Sequence, residues 1–280
     1  MTKASKPKLC SICHNIPVSR PHDVLKGYVC EQCEQRKSYS TPNLVGKGKP
    51  CKLPSFSVEF EIAAPARESR RALILLQYQF QRTYDSTVSD EYKSPIYHSI
   101  RAFRKPLAIL DGLRDLVNEA CGTHLHVTFE HRVALYSVRQ AVFDPLITHL
   151  VEHCEQTIAF WGRTFCSHAR ATLEEGERHV CFNTISRHPT LEYRLPRFHN
   201  AQQYLAVVQF CRYTTALLDA HFDPYAPLRD DVKPMTPEQL GDRILAHYKK
   251  ARGAFEQNNL IVPSSTGQEE ERVVPCADLH

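Results

Sequence analysis

Three short segments of this 280-residue chain repeat one arrangement, a charged or imidazole pair at i and i+2 with apolar residues between and around them. They are Val58-Glu59-Phe60-Glu61-Ile62, Thr123-His124-Leu125-His126-Val127 and Leu191-Glu192-Tyr193-Arg194-Leu195. Residues two apart on a strand point to one face. Three such strands side by side would gather three Glu, two His and an Arg on one face of a sheet and turn Phe, Leu and Tyr towards a core. Taken singly, each segment has an ordinary explanation. A V-E-F-E-I strand suits a sheet with one wet face, a lone His-x-His is usually incidental, and Glu192 with Arg194 could form a weak cross-strand ion pair. A merely solvated face would also use Lys, Ser, Thr and Gln freely. Here every outward position is a metal-ligand type or an Arg, which suits a divalent metal and an anionic substrate and makes an enzyme the leading expectation.

Residues 10–33 carry a second pattern. Cys10-x-x-Cys13 and Cys30-x-x-Cys33 are separated by sixteen residues, and Lys26-Gly27-Tyr28-Val29 precedes the second pair. Four thiolates in two such knuckles suit tetrahedral structural Zn²⁺, as in zinc ribbons and treble clefs. Residues 1–52 hold ten Lys/Arg against three acids, a net of +7; the whole chain carries +4, which leaves −3 for the remainder. Only this segment hints at a polyanionic partner. Its aromatics are Tyr28 and Tyr39, without basic–aromatic interleaving, so a structural or protein-docking module is favoured over nucleic-acid binding.

The N-terminus lacks an apolar secretory core, and no apolar run approaches the ~20 residues that span a bilayer. Eleven cysteines, seven of them scattered singly, read as free thiols in a reducing compartment, so a cytoplasmic protein without membrane contact is expected. Residues 1–50 read as the zinc module and 55–222 as the main domain. Residues 223–260 read as a Pro-rich linker with a peripheral helical extension, and 261–280 as a disordered tail. Within the main domain, strands are expected at 55–62, 123–129, 179–185 and 190–196, with two more short ones in 85–95. Helices are expected at 67–82, 98–119, 130–160 (interrupted at Asp144-Pro145) and 200–220, and a further one at 238–257. The class is α+β, an antiparallel sheet with helices on its apolar face. Cys154, Cys166, Cys181 and Cys211 read as small core residues, the scattered His98, His131, His149, His153 and His168 as ordinary surface or capping residues, and Trp161 as packing that positions Arg163.

The order of these elements carries a resemblance. Val58–Ile62, Asp85–Pro95, Cys121-Gly122-Thr123-His124-Leu125-His126-Val127, Arg163-Thr164-Phe165-Cys166, Arg178-His179-Val180-Cys181-Phe182-Asn183 and Thr190–Leu195 together resemble the amidoligase family over roughly residues 55–220. These are carboxylate–amine ligases of glutamine-synthetase-like fold. Two departures stand out: His179 where the family usually has an aromatic, and Leu195-Pro196-Arg197-Phe198 in place of a Leu-Phe-Glu-Gly turn.

The resemblance implies an ATP-dependent ligase that forms an amide or isopeptide bond through an acyl phosphate. Glu59, His124 and Glu192 would hold the Mg²⁺ (or Mn²⁺) that bridges the nucleotide phosphates, and Glu61 with Glu91 a second ion. His126 would touch the acyl phosphate or substrate. Arg163, Arg178 and Arg194 would neutralise the transferring phosphoryl group, Asn183 would orient an oxygen, and Asp85 or Glu91 is a candidate base. Substrates would be small molecules, peptides or proteins bearing a carboxylate and an amine. Alternatives remain: a phosphotransferase or metal-dependent hydrolase on the same sheet, or a zinc-ribbon nucleic-acid-binding protein with the large domain as scaffold. The absence of a Gly-rich phosphate loop excludes a P-loop kinase.

Overall fold

The computed structural model describes residues 8–9, 17–18, 53–83, 88, 90–129, 135–173, 179–184, 189–221 and 235–259. Cys10, Cys13, Cys30, Cys33, Asp85, Arg178, the 223–234 stretch and the 261–280 tail lie outside them. Near the N-terminus, β1 (Lys8–Leu9) pairs antiparallel with β2 (Pro17–Val18).

The three alternating segments form the centre of one sheet. Its strands are β3 (Phe56–Ile62), β4 (Gln81–Thr83), β5 (Asp90–Lys93), β6 (Thr123–Thr128), β7 (Phe182–Asn183) and β8 (Thr190–Tyr193), ordered β4-β5-β3-β6-β8-β7 and antiparallel throughout. Phe56, Val58, Phe60 and Ile62 of β3, Leu125 and Val127 of β6, and Leu191 and Tyr193 of β8 are buried in the core. Six α-helices occur among the described residues: α1 (Ala66–Ser69), α2 (Ile100–Asp111), α3 (Arg139–Glu152), α4 (Cys154–Trp161), α5 (Ala201–His221) and α6 (Pro237–Asn259). Contacts such as Tyr193 Oη to the Cys211 carbonyl (3.1 Å) and Phe143 stacked on Phe182 (4.5 Å between centroids) tie the helices to the sheet's apolar face. The α+β class and antiparallel sheet expected from the pattern are therefore present.

Three expectations change. The helix expected at 67–82 is only one α turn followed by a 3₁₀ helix over Arg70–Tyr78. Its inward residues, Ala72, Leu75 and the partly buried Tyr78, are three apart, which matches three residues per turn. Gln79 then takes a left-handed conformation (φ 63°) that turns the chain into β4.

The interruption expected at Asp144-Pro145 falls instead at His153, and Pro145 stays inside α3. Proline removes the hydrogen bond to the carbonyl four residues back, here that of Ala141. That carbonyl faces Gly241 of α6, where an added Cβ would lie 3.0 Å from the Ala141 oxygen and 2.7 Å from that of Val142. Glycine thus lets α6 pack against the defect.

The C-terminal helix is not peripheral. Leu240, Ile244 and Tyr248 of α6 are fully buried, and Tyr248 lies nearly parallel to Trp161 (16°, 6.4 Å). Its start is a reciprocal capping box: Thr236 N donates to Gln239 Oε1 (3.0 Å), and Gln239 N to Thr236 Oγ1 (3.2 Å). Pro237 fills the first helical position, where no N–H is needed. Among the described residues no helix is long and apolar enough to cross a membrane. Cys121, Cys166, Cys181 and Cys211 are free thiols, but Cys154, expected to be one as well, is disulfide-bonded.

Candidate metal centre

Strand pairing decides which polar side chains meet. Glu59 is directly opposite His124 on one side and Lys93 on the other, and Glu61 is opposite Glu91. His126 is opposite Glu192, which is opposite Asn183. Because parity is preserved across each pair, one face collects Glu59, Glu61, Glu91, Lys93, His124, His126, Asn183 and Glu192.

Distances draw these into a cluster. Glu59 Oε2 lies 3.2 Å from His124 Nδ1 and 3.3 Å from His126 Nε2, and His124 Nδ1 is 3.8 Å from Glu192 Oε1. Among the described residues, Glu59, His126 and Glu192 form a group whose ligand atoms all lie within 4.8 Å of one another. The resemblance noted in the sequence led to the expectation of His124 in this trio and His126 beside the substrate. The geometry brings both imidazoles to Glu59, with His126 completing the close set. The Nδ1 of His126 is buried and meets no hydrogen-bond partner among the described residues. Two carboxylates and one imidazole fit Mg²⁺ or, given the nitrogen, Mn²⁺.

Surrounding groups hold this set. Asn183 Nδ2 donates to Glu192 Oε2 (2.7 Å) and Arg194 Nη1 pairs with Glu192 Oε1 (2.6 Å), while Arg194 Nε donates to the His168 carbonyl (3.0 Å). Asn183 and Arg194 therefore first orient Glu192, as outer partners of a metal ligand do. The Glu61 carboxylate accepts from the Gly122 N–H, with its other oxygen 3.7 Å from His124 Nε2. Glu91 accepts from the Thr83 hydroxyl (2.6 Å) and from Lys93 (2.9 Å), so it is committed rather than poised as a base. Arg163 sits apart from its expected role. It is buried, and its guanidinium donates to the carbonyls of Leu195 (3.1 Å), Cys121 (3.3 Å) and Arg194. Those bonds clamp the ends of β6 and β8 instead of presenting a fork to an anion.

Charge follows the same geometry. Burial is the largest influence on Glu59 and opposes its charge, but hydrogen bonds and charge from His124 and His126 overcome it and hold this carboxyl well below the usual range. Burial opposes charge on His126 as well, yet the hydrogen bond it gives to Glu59 and the charge of Glu192 raise its pKa. Glu192, deeply buried, is lowered by His126, Arg194 and His124 despite desolvation. Burial lowers Arg163. Lys93 is raised by Glu59 and Glu91 against its own desolvation.

No known protein family, curated protein or solved structure matches this chain. The functional reading stands on the residues themselves.

The site also contains residues that the strand patterns left out. Lys93 reaches Glu59 Oε1 at 2.6 Å; its signal was the Glu91-x-Lys93 alternation, which repeats the i, i+2 pairing. Gly122 was part of the quoted motif, but its function is spatial: a Cβ there would lie 2.5 Å from His124 Nε2 and 3.2 Å from Arg163 Nη2. A cavity of about 320 Å³ opens beside the cluster, lined by Glu59, Lys93, His126, Thr128, Thr190 and Ile96 among others.

Proposed function

We propose that this face is the catalytic site of a metal- and ATP-dependent carboxylate–amine ligase. The observation that carries the reading is the convergence of Glu59, His126 and Glu192, from three strands, within the span of one ion. These residues would hold the divalent cation, with His124 packed between the carboxylates. The ion would neutralise phosphate oxygens in a charge-cancelling role of the kind phosphoryl transfer requires. ATP would supply the phosphoryl group that turns a carboxylate into an acyl phosphate; an amine then attacks the carbonyl carbon and inorganic phosphate leaves. This chain's own part is positioning and electrostatics. Arg194 adds a guanidinium beside Glu192, and Lys93 a second cation in the wall of the cavity. That 320 Å³ space would take the acyl substrate, with threonine hydroxyls for its polar groups and Ile96 for its apolar ones. The Cys10, Cys13, Cys30 and Cys33 module would contribute a structural Zn²⁺ outside this chemistry.

The test is ADP release from ATP with Mg²⁺ or Mn²⁺, scanned over amino acids, polyamines and peptides, with product mass recorded. Release that needs both a carboxylate and an amine, and is lost in Glu59→Ala and His126→Ala, supports the ligase. Release that needs only one acceptor would make it a phosphotransferase. Wild-type turnover in the folded Glu59→Ala variant would overturn the site.

A further inference from the structure

The same face carries four carboxylates, Glu59, Glu61, Glu91 and Glu192, spread over four neighbouring strands. Glu61 and Glu91 are directly opposed, and like charges in that relation repel. Family analogy would relieve this with a second metal ion. The structure relieves it differently. The Lys93 ammonium reaches in from the rim, its side chain 48% exposed, and lies 2.6 Å from Glu59 Oε1 and 2.9 Å from Glu91 Oε1. Glu61 is turned away to the Gly122 N–H, and the Thr83 hydroxyl takes part of the Glu91 charge. No group of three ligand types appears around Glu61 and Glu91 among the described residues. On the face itself, Lys93 pairs with Glu59 and Glu91 and Arg194 with Glu192, so fixed cations already meet three of the four carboxylates. Arg163 is directed at strand-end carbonyls instead.

We infer that Lys93 is a built-in cation that takes the place of a second metal, so that the protein binds a single divalent ion at Glu59, His126 and Glu192. This rests on the metal reading above and deepens it. A tethered ammonium supplies its charge at any metal concentration and lines the cavity. It is therefore also placed to meet the anionic end of a substrate, and metal dependence should be non-cooperative.

Mn²⁺ stoichiometry on the full chain tests this, by calorimetry and by electron paramagnetic resonance of the free ion; thiolates favour softer metals and do not compete. Wild type should bind one ion, Lys93→Met two, and Lys93→Arg one. Lys93→Met combined with Glu91→Gln should return to one, which assigns the second ion to the space the ammonium leaves. Lys93→Gln serves as a second charge-removing variant, and thermal melts confirm folding, with a larger Mn²⁺-induced rise in Tm for Lys93→Met than for wild type. Two ions in wild type, or one in both folded charge-removing variants, would overturn the inference and leave the metal reading intact. No ion in wild type would overturn both.

Discussion

Replacing Gly122 by alanine probes the centre through a single methyl group. The backbone at Gly122 is not left-handed, so conformational strain does not enter. Space does: the new carbon would stand 2.5 Å from His124 Nε2 and 2.9 Å from its Cδ2. Restoring ordinary van der Waals contact requires the ring to withdraw by about 1 Å. His124 is buried at 3% exposure and held between Glu59 and Glu192, so it cannot swing into solvent. Overpacking of this kind costs about 1–3 kcal/mol. For a domain of this size that lowers Tm by roughly 2–4 °C per kcal/mol, or about 2–12 °C. Displacing His124 also disturbs Glu59, and loss of a positioning partner weakens metal affinity by roughly 10–100-fold. Thermal unfolding and Mn²⁺ titration of Gly122→Ala would measure both effects. The decisive control is the same substitution in a His124→Ala background, where only the 3.2 Å approach to Arg163 Nη2 is left and most of the cost should vanish. An undiminished cost in that background, or wild-type stability and affinity in the single variant, would refute the steric argument.

Two further outcomes follow from packing and charge. His247 lies against Phe210 (5.3 Å) and Tyr213 (4.1 Å), and burial with the nearby Lys250 lowers its pKa to about 4. Its folded-state pKa is depressed, so its share of stability is fully present above the unfolded value near 6.5 and is lost as pH falls from there towards 4. Discounted for partial exposure, the loss is on the order of 1–2 kcal/mol, and His247→Phe should flatten stability over that window in denaturant melts at pH 7 and pH 4.5. Tyr248→Ala should cost about 3–5 kcal/mol by emptying the space beside Trp161 and Phe160; a change under about 1 kcal/mol in urea unfolding would mean that α6 is peripheral after all.

Much of the centre was legible in the sequence because strand parity is a local property. The alternation around Glu59, His124, His126 and Glu192 was enough to place them on one face, and their apolar neighbours Phe60, Leu125 and Tyr193 on the other. The helix expected at 238–257 was legible in the same local way, while the reciprocal Thr236–Gln239 bonds that begin α6 are a finding of the structure. Arg163 was misread for the opposite reason. A guanidinium suits both an anion and a set of carbonyls, and only the positions of Leu195, Cys121 and Arg194 show which it meets.

Sequence alone determined that an antiparallel sheet with one chemically loaded face was the natural outcome, since the period-two pattern and side-chain chemistry reside in each short segment. Tertiary structure alone decided that Lys93 meets Glu59 and Glu91, that His126 closes the set with Glu192, and that α6 joins the core. Those outcomes depend on the register between strands and on how helices cross. Both are set by packing among residues far apart in the chain, which no single segment encodes.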